Sequence, residues 1–96
     1  MRMHDPPHPG AFISEVYLKP NGISRRKLAL GLGVATSTLS RLINGTGAIT
    51  PEMALRLSKA IGRTPESWMV MQQAYDLWHA RKRIDLDKVS RIKLDS

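Results

Sequence analysis

Apolar residues along this 96-residue chain recur at spacings of three and four rather than two, and short glycine, proline and polar joints divide them into helical segments. Phe12, Ile13, Val16 and Tyr17 predict a helix over residues 10–18, which Pro20, Asn21 and Gly22 close. Ser24 is a side-chain cap for a second helix that runs to about Leu32, and a third starts near Thr36 and stops at Asn44 and Gly45. Two further starts share one signature. Thr50-Pro51-Glu52 and Thr64-Pro65-Glu66 each place a hydroxyl at the cap, proline at the first helical position and an acid in the first turn, where the helix dipole favours negative charge. The fourth helix buries Met53, Ala54, Leu57 and Ile61 and ends at Gly62, and the fifth runs from Pro65 to about Arg83. The class is all-α. Residues 1–9, with three prolines and two of the three histidines, are expected to be an extended, mobile arm before a domain over residues 10–83, followed by a tail over residues 84–96.

Residues 25–44 carry the most specific pattern. Ala29 is small where a second helix must come close, and Gly33 can take the positive φ that a tight turn needs. Leu28, Leu32, Val34, Leu39 and Leu42 then point into one small core, which leaves Thr36, Ser37, Thr38, Ser40, Arg41 and Asn44 outside. Any helical hairpin could show leucine and alanine periodicity around a glycine. The joint placement of these five core positions beside Arg25, Arg26 and Lys27 reads instead as a helix-turn-helix. Hydroxyls, an amide and a guanidinium suit the donors and acceptors of a major groove. Ser37, Thr38 and Arg41 are therefore expected to contact bases, with Thr36 and Ser40 assisting. Arg25, Arg26, Lys27, Asn44 and Thr46 are expected on the DNA backbone.

The fifth helix has more apolar surface than a lone small domain uses. Trp68, Met71, Tyr75 and Trp78 form one stripe, and Val70, Ala74 and Leu77 form a second beside it. The two together cover about half the helix, so a homodimer interface is expected through Tyr75, Leu77, Trp78, Ile84 and Leu86. The tail admits two forms: Ile84-Asp85-Leu86 alternates like a strand, whereas Asp87 before Val89 and Ile92 resembles a capped helical turn. It either docks at the dimer interface, pairing with its copy, or is disordered.

Charge changes the picture by naming a class of partner. A net charge of +7 and a pI near 10.4 provide a field that attracts phosphate backbones. The chain has no cysteine, which removes disulfides and thiolate chemistry and fits a reducing cytoplasm. No apolar run approaches the ~18–20 residues of a membrane span, and no signal-peptide apolar region is visible, so a cytoplasmic protein without a membrane partner is expected. Catalysis is not expected. His4, Asp5 and His8 lie on the proline-rich arm without a third fixed ligand; Asp76 and His79 are helix neighbours without a nucleophile. Neither a metal nor a cofactor is expected.

The segments His8-Pro-Gly10, Gly22-Ile-Ser24, Leu28-Ala29, Leu32-Gly-Val34, Leu39-Ser40, Asn44-Gly45, Ile49-Thr-Pro51, Ala54-Leu-Arg-Leu57, Gly62, Thr64-Pro-Glu66, Trp68 and Ala74-Tyr-Asp-Leu77 occur in one order. In that order and spacing, from about His8 to Arg83, the chain resembles HigA-type antitoxins of bacterial toxin–antitoxin modules, also called VapI or plasmid-maintenance antitoxins. The resemblance implies a five-helix, Cro/lambda-repressor-like domain. It implies a homodimer on an inverted-repeat operator in double-stranded DNA, repression of the antitoxin's own operon, and neutralisation of a HigB-like toxin, a ribonuclease of the RelE kind that cleaves mRNA. Members often carry Leu-Asn-Leu-Gln after the tryptophan. Met69-Val-Met-Gln72 replaces it here and leaves that face more apolar. The surface left for a toxin is then the arm, the first helix and the outer side of the fourth, with Glu15 and Glu52 as candidate contacts to a basic partner. A helix-turn-helix repressor with no toxin is the alternative reading.

Overall fold

Side-chain caps start four of the five long helices in the computed structural model, which describes residues 5–94. The first helix, α1, is composite: Pro9–Ile13, a π-helical Ser14–Leu18 and a final Lys19–Asn21. It is followed by α2 (Arg25–Leu32), α3 (Thr36–Ile43), α4 (Pro51–Ile61) and α5 (Pro65–Arg83), and by a single 3-10 turn at Leu86–Lys88. Among the described residues, no helix is long and apolar enough to cross a membrane.

The ends of α1 correct the sequence reading. The helix starts at Pro9 because His8 caps it: Gly10 N–H donates to His8 Nδ1 at 2.9 Å. His8 and buried Pro9 thus belong to the folded body rather than to a mobile arm, and residues 1–4 of that arm, with His4, lie outside the described residues. At the other end, α1 continues through Pro20 to Asn21. Proline has no N–H for a helical ladder, and the π-turn, in which Lys19 N–H reaches Ser14 O, shifts the bonding register just before it. Asn21 Nδ2 donates to the Tyr17 carbonyl at 2.8 Å, and Gly22, at φ 62°, ends the helix.

The core gathers Ile13 and Leu18 of α1, Leu28, Ala29 and Leu32 of α2, Leu39, Leu42 and Ile43 of α3, Met53, Ala54 and Leu57 of α4, and Trp68 of α5. Val34 and Ile61 pack at its edge. Trp68 is its largest fully buried side chain, and its indole N–H donates to the Gly62 carbonyl at 3.0 Å. Beside it, Gln72 is buried with both ends of its amide used. Its Oε1 accepts from Ile49 N–H at 2.8 Å and its Nε2 donates to Asp76 Oδ1 at 3.0 Å, which joins the loop before α4 to α5. A buried polar side chain is tolerable on these terms.

The tail is neither a strand nor a turn capped by Asp87. Asp85 Oδ1 accepts from Asp87 N–H at 3.1 Å, so the cap sits two residues earlier, and the turn it starts is complete by Lys88. Val89 is extended, and Ile84, Leu86, Val89, Ile92 and Leu94 are all exposed.

Candidate nucleic-acid interface

The amphipathic pattern of α3 divides it cleanly. Leu39, Leu42 and Ile43 are buried; Thr36, Ser37, Arg41 and Asn44 are exposed, and Thr38 and Ser40 are half-buried. The structure therefore brings the five expected base-reading residues onto one helix whose apolar side is anchored in the core. Its N-cap is Ala35, which supplies no side-chain hydrogen bond.

Four devices fix how α3 is held. Gly33, at φ 73°, ends α2 and turns the chain toward α3. Arg56 of α4 covers the end of α2, its Nη1 donating to Leu32 O at 2.7 Å and to Gly33 O at 3.3 Å, carbonyls that have no partner inside the helix. On the other side, Gly10 lets α1 meet the C-terminal end of α3 backbone to backbone: a Cβ there would stand 1.9 Å from Leu42 O and 2.7 Å from Ile43 Cα. Finally, His8 Nε2 donates to Gly47 O at 3.1 Å while Nδ1 accepts from Gly10, which requires the neutral ring with its proton on Nε2. The loop after α3 is so tied to the start of α1.

That loop is also closed upon the helix. Arg41 O accepts from Thr46 N–H and Gly47 N–H, both at 3.0 Å, and from the Thr46 hydroxyl at 3.2 Å. The hydroxyl of Thr46, expected on the DNA backbone, is thus donated to the C-terminal turn; its oxygen remains free to accept. Arg25, Arg26 and Lys27 are exposed in the first turn of α2, where Lys27 N–H donates to Ser24 Oγ at 3.0 Å. No acid occupies that turn. Three cations at the positive end of a helix dipole each disfavour the helix by roughly 0.3–1 kcal/mol, so an anion beside them would relieve the arrangement.

The candidate interface on α5 is split. Leu77, Ile84 and Leu86 are exposed, with Leu77 51% accessible, and Val70 lies two turns earlier on the same side at 62%. Tyr75 faces the body instead, its ring 4.8 Å from His8 and 4.3 Å from His79. Two residues from Leu77, it is on nearly the opposite side of the helix. Trp78 is half-buried, and Lys82 Nζ covers its ring at 4.7 Å. The two acids expected toward a toxin have local partners: Glu15 pairs with Lys19 at 2.7 Å and Glu52 lies 3.8 Å from Arg56. Asp76 is bonded to Gln72, and among the described residues no group of three or more His, Cys, Asp or Glu side chains could hold a metal.

Three residues that the pattern reading missed do much of the positioning. Gln72 carried a signal, since it lies four residues from Trp68 on the same stripe. Arg56 carried none beyond an ordinary i,i+4 spacing from Glu52, and the bonds of His8 span 39 residues.

The helix-turn-helix family model matches residues 16–68. The chain is 40% identical over 92 residues to the uncharacterised HTH-type transcriptional regulator YddM of Escherichia coli (strain K12), covering 96% of this chain and 97% of that protein. It is 43% identical over 74 residues to Antitoxin HigA-1 of Vibrio cholerae serotype O1, covering 77% of this chain and 70% of HigA-1. Among solved structures, antitoxin GraA in complex with its operator superposes with a TM-score of 0.86 at 35% identity, covering 98% of both chains.

Proposed function

The chain belongs to the helix-turn-helix family that includes the HigA antitoxins, a family of DNA-binding regulators rather than enzymes, and from that premise we propose that it is itself an antitoxin acting on operator DNA. As a homodimer it binds an inverted repeat, represses its own operon and neutralises a HigB-like, mRNA-cleaving toxin. The observation that carries the DNA part is α3: its apolar side chains are sunk in the core while Thr36, Ser37 and Arg41 stand exposed on its outer side. In the dimer, two copies of α3 enter successive major grooves ~34–36 Å apart. Ser37, Thr38 and Arg41 contact base edges, with Thr36 and Ser40 assisting.

The remaining contacts set register. Arg25, Arg26 and Lys27 neutralise phosphates at the start of α2, and Asn44 with the Thr46 oxygen meets the backbone beyond α3. The bare N-terminus of α3, capped only by Ala35, takes a phosphate oxygen. The dimer forms along the exposed ridge of Leu77, Ile84 and Leu86, with Trp78 at its margin; Tyr75, turned inward to His8, supports it from within. The toxin occupies the remaining surface of α1 and the outer side of α4, and the protein works in the cytoplasm.

Glu15 and Glu52 are already paired within the chain, which favours a second reading, a repressor without a toxin. Co-expression with the product of the adjacent gene separates the two. Growth rescue and co-purification, with protection of an inverted repeat upstream of the operon, are expected of the antitoxin. A harmless, non-binding neighbour leaves the repressor, and no protection of the upstream DNA removes both.

A further inference from the structure

Arg81, Lys82, Arg83, Lys88, Arg91 and Lys93 are six of the 15 Lys and Arg residues of the chain, gathered in a segment that the helix-turn-helix leaves without a role. We propose that Lys88, Arg91 and Lys93 form a second DNA-backbone contact beyond the groove occupied by α3. The inference rests on the reading of the chain as a DNA-binding protein and extends its footprint.

Three observations support it. The first is placement. His8 donates to Gly47 in the loop after α3 and touches the ring of Tyr75, so the middle of α5 lies beside the end of the candidate recognition helix. From Tyr75 the helix continues eight residues to Arg83, about 12 Å at 1.5 Å per residue, before the tail begins. The second is shape. The radius of gyration is 16.7 Å and the longest extent 54 Å, against roughly 12–13 Å for the radius of a compact chain of this length. The tail stands away from the body, every residue from Arg81 to Leu94 being exposed.

The third is pattern. From Lys88 to Leu94 the sequence holds three cations and no acid, and Arg91-Ile92-Lys93-Leu94 alternates charged and apolar residues. In an extended segment, alternate side chains point to opposite sides. Ile92 and Leu94 then seat on protein while Arg91 and Lys93 are presented together to solvent. Long cations without a rigid frame match phosphates by charge alone and read no sequence.

The test is fluorescence anisotropy of the full chain on its operator and on a random duplex across a salt series. It compares wild type, Arg26→Ala, and a triple variant carrying Lys88→Gln, Arg91→Gln and Lys93→Gln. Three lost phosphate contacts should flatten the slope of log affinity against log salt by about 2–3, at ~0.9 per contact. Affinity for both duplexes should fall by a similar factor, roughly ten- to a hundredfold at low salt, leaving their ratio unchanged. A triple variant with the wild-type slope overturns the proposal, and so does a flattened slope accompanied by a lower sedimentation mass, which assigns the tail to assembly instead. If Arg26→Ala flattens the slope and the triple variant does not, only the tail contact fails; if wild type binds neither duplex, the DNA reading itself fails.

Discussion

Gly10 and Gly31 are both helical, and their surroundings give opposite expectations for the same substitution. At Gly10 a Cβ would occupy the space of the Leu42 carbonyl, 1.9 Å away, so Gly10→Ala must push α1 off α3. Urea denaturation should show a loss of about 3 kcal/mol, the upper end of ordinary overpacking. Around Gly31 nothing lies within 4 Å, and an added methyl only reduces the freedom of the unfolded chain. Gly31→Ala should therefore gain about 0.5–1 kcal/mol. Equal effects at the two positions would contradict the packing of α1 on α3. Gln72 is a different case, because its loss leaves the Ile49 N–H buried without an acceptor. Gln72→Leu should cost about 1–3 kcal/mol despite being more apolar, and a neutral or stabilising result in the same denaturation series would refute that role.

Helices α2 and α3 are short, eight residues each, and cannot hold their crossing unaided. Arg56 supplies what the turn lacks, bonding two carbonyls at the end of α2 from a third helix. Arg56→Ala should lower stability by about 1–2 kcal/mol, discounted because the side chain is partly exposed, and should weaken operator binding although no proposed DNA contact is touched. Unchanged operator affinity in that variant would mean that the crossing does not depend on the clamp. This division explains what was legible in the sequence. Helices α2 to α5 could be read closely, because Ser24, Thr50 and Thr64 cap them with side chains three residues from the N–H they accept, a local signal. The course of α1 through Pro20 was not legible, since a π-turn leaves no period in so short a stretch. His8 and Arg56 act across 39 and 24 residues, and the face of Tyr75 depends on His8; such contacts have no sequence spacing to betray them.

The chain as a whole presents two unpartnered faces with different characters, a polar and basic one at α2 and α3 and an apolar ridge along α5 and the tail. Leu77 lies on that ridge, about half exposed, and a charge placed there would be buried in a dimer without a partner. Leu77→Glu should leave the unfolding midpoint of the isolated chain nearly unchanged, sediment as a monomer at micromolar concentration, and bind the operator more weakly because one half-site is lost. A wild-type chain that is already monomeric under those conditions would remove the dimer from the scheme. The reading of α3 as the element that chooses a DNA sequence is tested most directly by Arg41→Ala, since Arg41 is exposed on α3 and its carbonyl, not its guanidinium, holds the following loop. Affinities for the operator and for a random duplex should be measured at one salt concentration. The expected result is a loss of about 1–3 kcal/mol on the operator and a much smaller loss on the random duplex, so that discrimination narrows; an Arg41→Ala chain that keeps the wild-type ratio between the two would contradict it.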